Sequence, residues 1–130
     1  MKTIRQLLLT GMAVLLCSTM YAQAPQKFNY QAVARNNNNI IANGNVGVRL
    51  TITQGNGGTS LYQETQTAAT NAFGIFSLQV GGGTIVSGDF TTVDWKTGDK
   101  WLQVEMDPAG GTSYTNMGSS ELVSVPYAVH

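Results

Sequence analysis

Beyond its first 22 residues this sequence predicts an all-β fold, a single antiparallel β-sandwich of about seven strands, immunoglobulin-like or prealbumin-like. Three observations predict it. Apolar and polar residues alternate with period two over several short runs. Gly, Asn and Asp clusters separate those runs at regular intervals, and helix signals are nearly missing after the N-terminus. A low share of charged residues, 11% of 130, fits a chain stabilised by one hydrophobic core.

The first element is an export signal, the one helix expected. Lys2 and Arg5 form a short cationic start, and Leu7 to Leu16 (LLLTGMAVLL) follow as an apolar run. That run is too short for a stable membrane anchor, and small residues come after it. Cleavage after Ala22 leaves Gln23 first. Cleavage after Ala24 would place Pro25 just beyond the scissile bond, where a peptidase needs an extended, unhindered chain, so Ala22 is preferred. The domains expected are a signal peptide, 1–22, and a β-sandwich, 23–130. The product is secreted or displayed at the cell surface, without membrane insertion after cleavage. Cys17, the only cysteine, lies inside the apolar run behind Leu16, where a lipoprotein signal needs a small residue. The mature chain therefore has no disulfide and no thiolate nucleophile.

The strands follow in order. Phe28 to Arg35 (FNYQAVAR) reads as the first. Val46 to Thr53 (VGVRLTIT) is the clearest, with Val46, Val48, Leu50 and Ile52 on one face and Gly47, Arg49, Thr51 and Thr53 on a face toward water. On this reading Leu50→Asp unfolds the domain and Arg49→Asp is nearly neutral. Leu61 to Thr67 and Ile75 to Val80 come next, the latter with Phe76, Leu78 and Val80 together. Trp101 to Met106 places Leu102, Val104 and Met106 on one side, and Glu121 to Val125 is the last, halted by Pro126. Between them lie Asn36 to Asn39, Asn43-Gly44, Gln54 to Ser60, Asn71 to Gly74, Gly81 to Gly83 and Asp107 to Gly111. Each is rich in residues that take left-handed or turn backbone.

Three of these stretches also carry a resemblance. PQKFNYQAVAR near the mature start, LYQETQTAATNAFGIFSLQVGGG in the middle and LVSVPYAV at the end resemble the N-terminal β-sandwich module of many secreted and surface proteins of Bacteroidota-type bacteria. The resemblance implies a scaffold, adhesion or presentation role. It also implies that VPYA leads into further sequence, such as a stalk, a fibre-like part or a self-cleaving chaperone domain. This chain departs from that pattern by stopping at His130, so it is expected to be either part of a longer protein or a stand-alone remnant. More loosely, TNAFGIFSL is similar to the strand–turn–strand of carboxypeptidase regulatory-like and transthyretin-like sandwiches.

Composition narrows the partners. Losing residues 1–22 removes Lys2 and Arg5 from seven bases and nothing from seven acids, leaving a charge of about −2. Without a basic patch, neither nucleic acid nor an anionic membrane is an expected partner. His130 is the only histidine and stands last in the chain, where an imidazole is poorly held for proton transfer. A Ser–Lys pair using Lys27, Lys96 or Lys100 is selected by no motif. Glu64 and Glu105 would serve as a hydrolase pair only if the fold brought them across a cleft. Asp89, Asp94 and Asp99 are read as loop residues before they are read as a Ca²⁺ cage, because no tight Asp-x-Asp-x-Asp-Gly loop is present. Gly81 to Gly83 are turn glycines, since no helix follows to receive a phosphate. The expectation is a non-catalytic module with no cofactor and no metal.

One face is a candidate binding surface. Trp101, Gln103 and Glu105 share the side of their strand opposite the apolar one, where an indole flanked by an amide and a carboxylate suits a sugar ring. The competing reading is that Trp101 packs on a sheet edge or under a loop. Tyr62, Glu64 and Gln66 form a weaker version of the same pattern, and Trp95 is read as a lid over one end of the core. An extracellular protein or a glycan is the expected partner.

Overall fold

The computed structural model describes residues 27–123. The expected signal segment with Cys17, both cleavage alternatives, the VPYAV stretch and His130 lie outside them. Nine strands succeed one another: β1 (Phe28–Val33), β2 (Arg35–Asn36), β3 (Asn39–Ile40), β4 (Asn45–Gln54), β5 (Thr59–Ala69), β6 (Ile75–Val80), β7 (Thr84–Gly88), β8 (Lys100–Asp107) and β9 (Thr115–Leu122). One turn of 3-10 helix, Phe90–Thr92, lies between β7 and β8. The fold is all-β and sandwich-like. A five-stranded antiparallel sheet, ordered β7-β5-β4-β8-β9, forms one layer, and a ribbon of β1 and β6 forms the other. Setting aside the two-residue hairpin of β2 and β3, seven strands remain among the described residues.

Turn chemistry sets these boundaries. The β2–β3 hairpin closes through Asn37 and Asn38, both left-handed at φ 52° and 70°, the pair that a tight hairpin of this hand demands. Between β5 and β6, the Asn71 side chain accepts hydrogen bonds from the amides of Phe73 and Ile75, and Gly74 takes φ 78°. That turn carries the chain from the five-stranded sheet to the ribbon. Asp107 performs the same service between β8 and β9, its carboxylate accepting from the amides of Ala109 and Ser113. Those backbone bonds hold its pKa below the ordinary 3.8.

Period-two alternation builds the core. Val46, Val48, Leu50 and Ile52 of β4 are fully buried, joined by Leu102, Val104 and Met106 of β8 and by Phe76, Leu78 and Val80 of β6. The ribbon covers only part of the larger sheet, and aromatic side chains close one end. Phe90 sits 5.3 Å from Tyr62, 5.6 Å from Trp95 and 6.1 Å from Phe28 between ring centroids. Trp95 does pack against the core from its loop, as its position among polar residues suggested.

One face departs from expectation. The side of β4 assigned to water is largely covered: Thr51 and Thr53 are 3% and 4% exposed. Being the central strand, β4 lies under the longer side chains of both neighbours. Gln63 on β5 donates to the Thr51 hydroxyl at 2.9 Å, and Arg49 reaches sideways to β8. At Gly47 any side chain would collide with the Gly111 carbonyl of the overlying β8–β9 loop.

Candidate functional site

The outer face of the five-stranded sheet is a set of polar cross-strand rows. Register places Thr65, Arg49, Glu105 and Asn116 in one row, and Gln63, Thr51, Gln103 and Ser119 in the next. Thr53, Trp101 and Glu121 make a third. Trp101, Gln103 and Glu105 therefore do share this face, all three half-buried. Their chemistry is less open than their spacing suggests. The Trp101 indole donates to Asp99 at 2.8 Å, which holds the Asp99 carboxyl below its ordinary range. Glu105 is engaged at both oxygens: Arg49 Nε donates to Oε1 at 2.9 Å and Nη2 to Oε2 at 2.5 Å. These hydrogen bonds raise the Arg49 pKa still further above its ordinary value. The guanidinium also lies 4.8 Å from the Tyr114 ring centroid. Such a fork fixes Arg49 in place and leaves Glu105 little capacity to accept from a ligand. It also overturns the near-neutrality expected of Arg49→Asp, because a carboxylate at 49 would directly face Glu105 across the ladder.

Tyr62, Glu64 and Gln66 do not form a second ligand face. They point inward: Tyr62 and Glu64 are both wholly buried. The Glu64 carboxylate accepts from the Tyr62 hydroxyl at 2.6 Å, the Gly81 amide at 2.6 Å, the Gly83 amide at 3.1 Å and the Gln66 side-chain amide. Gln66 Nε2 also donates to the Gln79 carbonyl on β6. Burial, together with the Glu64 hydrogen bond, pushes the Tyr62 pKa well above the usual phenol range, so its proton stays on as a donor. The Gly81–Gly83 turn is thus pinned by a carboxylate as it passes from the ribbon to β7. Glu64 and Glu105, on adjacent registers of the same sheet, face opposite sides of it and do not converge.

The aspartates of DFTTVDWKTGD are each spent locally. Asp89 accepts from the Thr91 amide and hydroxyl at the start of the 3-10 turn, Asp94 from the Lys96 amide, and Asp99 from Trp101. Among the described residues no three Asp, Glu, His or Cys side chains gather as a metal cluster would require. Lys100 is 2% exposed, its ammonium donating to the Thr97 and Gly98 carbonyls.

A feature missed in the sequence lies beyond the Arg49 row. Thr65, Thr67, Thr84, Gly110, Thr112 and Tyr114 line a recess of about 220 Å³ between β5, the start of β7 and the β8–β9 loop. Its components come from three distant segments. No sequence signal joins them, and reading Tyr62, Glu64 and Gln66 as an outward face turns Thr65 and Thr67 inward, the reverse of what is found.

Over residues 29–120 the chain matches the model of a domain of unknown function, DUF8740. The chain belongs to that family. No curated protein and no solved structure matches it. The DUF8740 match runs from β1 into β9, so the family takes in both layers and most of the outer face.

Proposed function

We propose that this DUF8740 domain is a non-catalytic structural, adhesion or presentation module. On this reading it is exported through residues 1–22 and forms the N-terminal part of a longer surface or secreted protein of Bacteroidota type. One observation carries the reading: the polar side chains are spent on architecture. Among the described residues every buried side-chain nitrogen and oxygen has a hydrogen-bond partner. Glu64 fastens the two layers together, and Asp89 and Asp107 each fasten a loop. The sequence resemblance supports the surface setting.

The test is protease shaving of intact source cells, followed by mass determination of the released and full-length native protein. The expected result is a mature N-terminus at Gln23, accessibility from outside and a mass well above that of residues 23–130. A protein retaining Met1 and found only inside the cell would sink the reading.

A second reading, a small carbohydrate-binding module, is favoured by the outer face itself. Its central row of Gln63, Thr51, Gln103 and Ser119 is uncharged and rich in hydrogen-bonding groups, with Trp101 beside it. Neutral polar surfaces edged by an aromatic ring suit hydroxylated ligands.

A further inference from the structure

We propose that the recess between Thr65, Thr84 and Tyr114 is a binding site for a single neutral pyranose residue, free or at the end of a glycan. The inference rests on the carbohydrate reading and moves its centre away from the predicted Trp101, Gln103 and Glu105.

Three features select this ligand class. The lining includes Thr65, Thr67, Thr84 and Thr112, residues whose hydroxyls both donate and accept, as sugar hydroxyls do. Backbone at Gly110 adds polar groups without side-chain bulk. The volume, about 220 Å³, lies below the range of about 300–1,000 Å³ usual for drug-sized ligands and suits one ring.

Charge argues in the same direction. Arg49, the nearest cation in that row, has its charge answered by Glu105 through a two-point ion pair. The residues lining the recess are themselves uncharged, so a neutral ring displaces no ion of the lining. Tyr114 supplies the apolar wall on which the C–H face of a pyranose packs.

Tyr114 has a fixed neighbour of its own. Glu105 fixes the Arg49 guanidinium, and Arg49 in turn lies against the Tyr114 ring. This relay gives Glu105 a positioning role rather than the direct contact its place beside Trp101 suggested. A preorganised aromatic wall reduces the ordering cost of binding, which matters for a ligand making few contacts.

The probes are neutral monosaccharides (glucose, galactose, mannose and xylose), with glucuronate as a charged control. Each is titrated into the isotope-labelled exported domain while backbone amide shifts are followed. The expected result is saturable movement at Thr65, Thr84, Gly110, Thr112 and Tyr114 with at least one neutral sugar and not with glucuronate. Tyr114→Ala should weaken binding about tenfold, the order expected for one lost ring contact. Thr84→Val, on an exposed edge strand, should weaken it several-fold while leaving the remaining spectrum in place, so a poorly folded Tyr114 variant does not decide the matter. Trp101→Ala should leave affinity unchanged. Movement centred on Trp101 and Gln103 instead would overturn this site and keep the carbohydrate reading. No saturable movement with any sugar at 100-millimolar order would overturn both, and the scaffold reading would stand apart from that result.

Discussion

On the inner face of the five-stranded sheet, Glu64 is wholly buried and accepts hydrogen bonds only from neutral donors. On the outer face of the same sheet, Glu105 keeps 13% of its side chain exposed and pairs with a guanidinium that is itself 34% exposed. Both are strand glutamates with their oxygens fully engaged, yet the surroundings give them different physical roles. A buried carboxylate is held by fixed dipoles, and its removal leaves every one of those dipoles without a partner in a dry interior. A carboxylate near water can be resolvated when its partner is lost, so its net worth is small. The inner face therefore carries more of the stability, and the ion pair on the outer face can change at lower cost.

Placing a charge on the inner face is the most severe way to break this contrast. Leu50→Asp puts a carboxylate at a fully buried position between Glu64 on β5 and Val104 on β8, with no donor arranged to meet it. The expected loss exceeds about 4 kcal/mol, enough to unfold a domain of this size. Circular dichroism and urea titration would show it. A cooperatively folded Leu50→Asp protein would mean that the inner face is not dry.

Glu64→Ala tests the polar lock. It orphans the Tyr62 hydroxyl and the Gly81 and Gly83 amides and opens a cavity beside them. A destabilisation of about 3–5 kcal/mol is expected, with Glu64→Gln intermediate because one amide oxygen can still accept. Hydrogen exchange at Gly81 and Gly83 should accelerate first, since their partner is the group removed. Unchanged protection there would show that the turn is held by its own backbone and not by Glu64.

The contrast also explains which parts of the fold are legible in the sequence. The inner apolar positions of β4, β6 and β8 were legible because alternation assigns faces without reference to neighbours. β7 (TIVSG) and most of β9 (TNMGSSEL) escaped notice. Both are sheet edges, every residue of β7 is exposed, and neither needs an alternating apolar pattern. A bulge interrupts the pairing of each as well. Glu64 was misread as a surface group because a polar residue on an inward position breaks the alternation that assigns faces; its donors, Gly81 and Gly83, belong to a turn seventeen and nineteen residues away. The Arg49–Glu105 pair spans 56 residues and depends on the β4–β8 register, which nothing local encodes. The same holds for Tyr114 and the threonines of the recess.

The smallest expected effect sharpens the outer half of the comparison. Arg49→Met removes the ion pair and keeps an apolar stem over the sheet, and a loss of about 0.5–1 kcal/mol is expected because Glu105 can turn to water. Arg49→Asp adds like-charge repulsion at the position directly opposite Glu105, for a loss of about 1.5–3 kcal/mol. The extra cost of Asp over Met is electrostatic, so urea titrations in 1 M sodium chloride should narrow the gap between the two variants, whereas the Leu50→Asp defect should not recover. If the gap is absent at low salt, Glu105 is turned away from β4 in solution, and the relay that holds Tyr114 against the recess is lost with it. If the gap is present and screened by salt, the outer face is confirmed as a surface whose charges interact through water while the inner face does not.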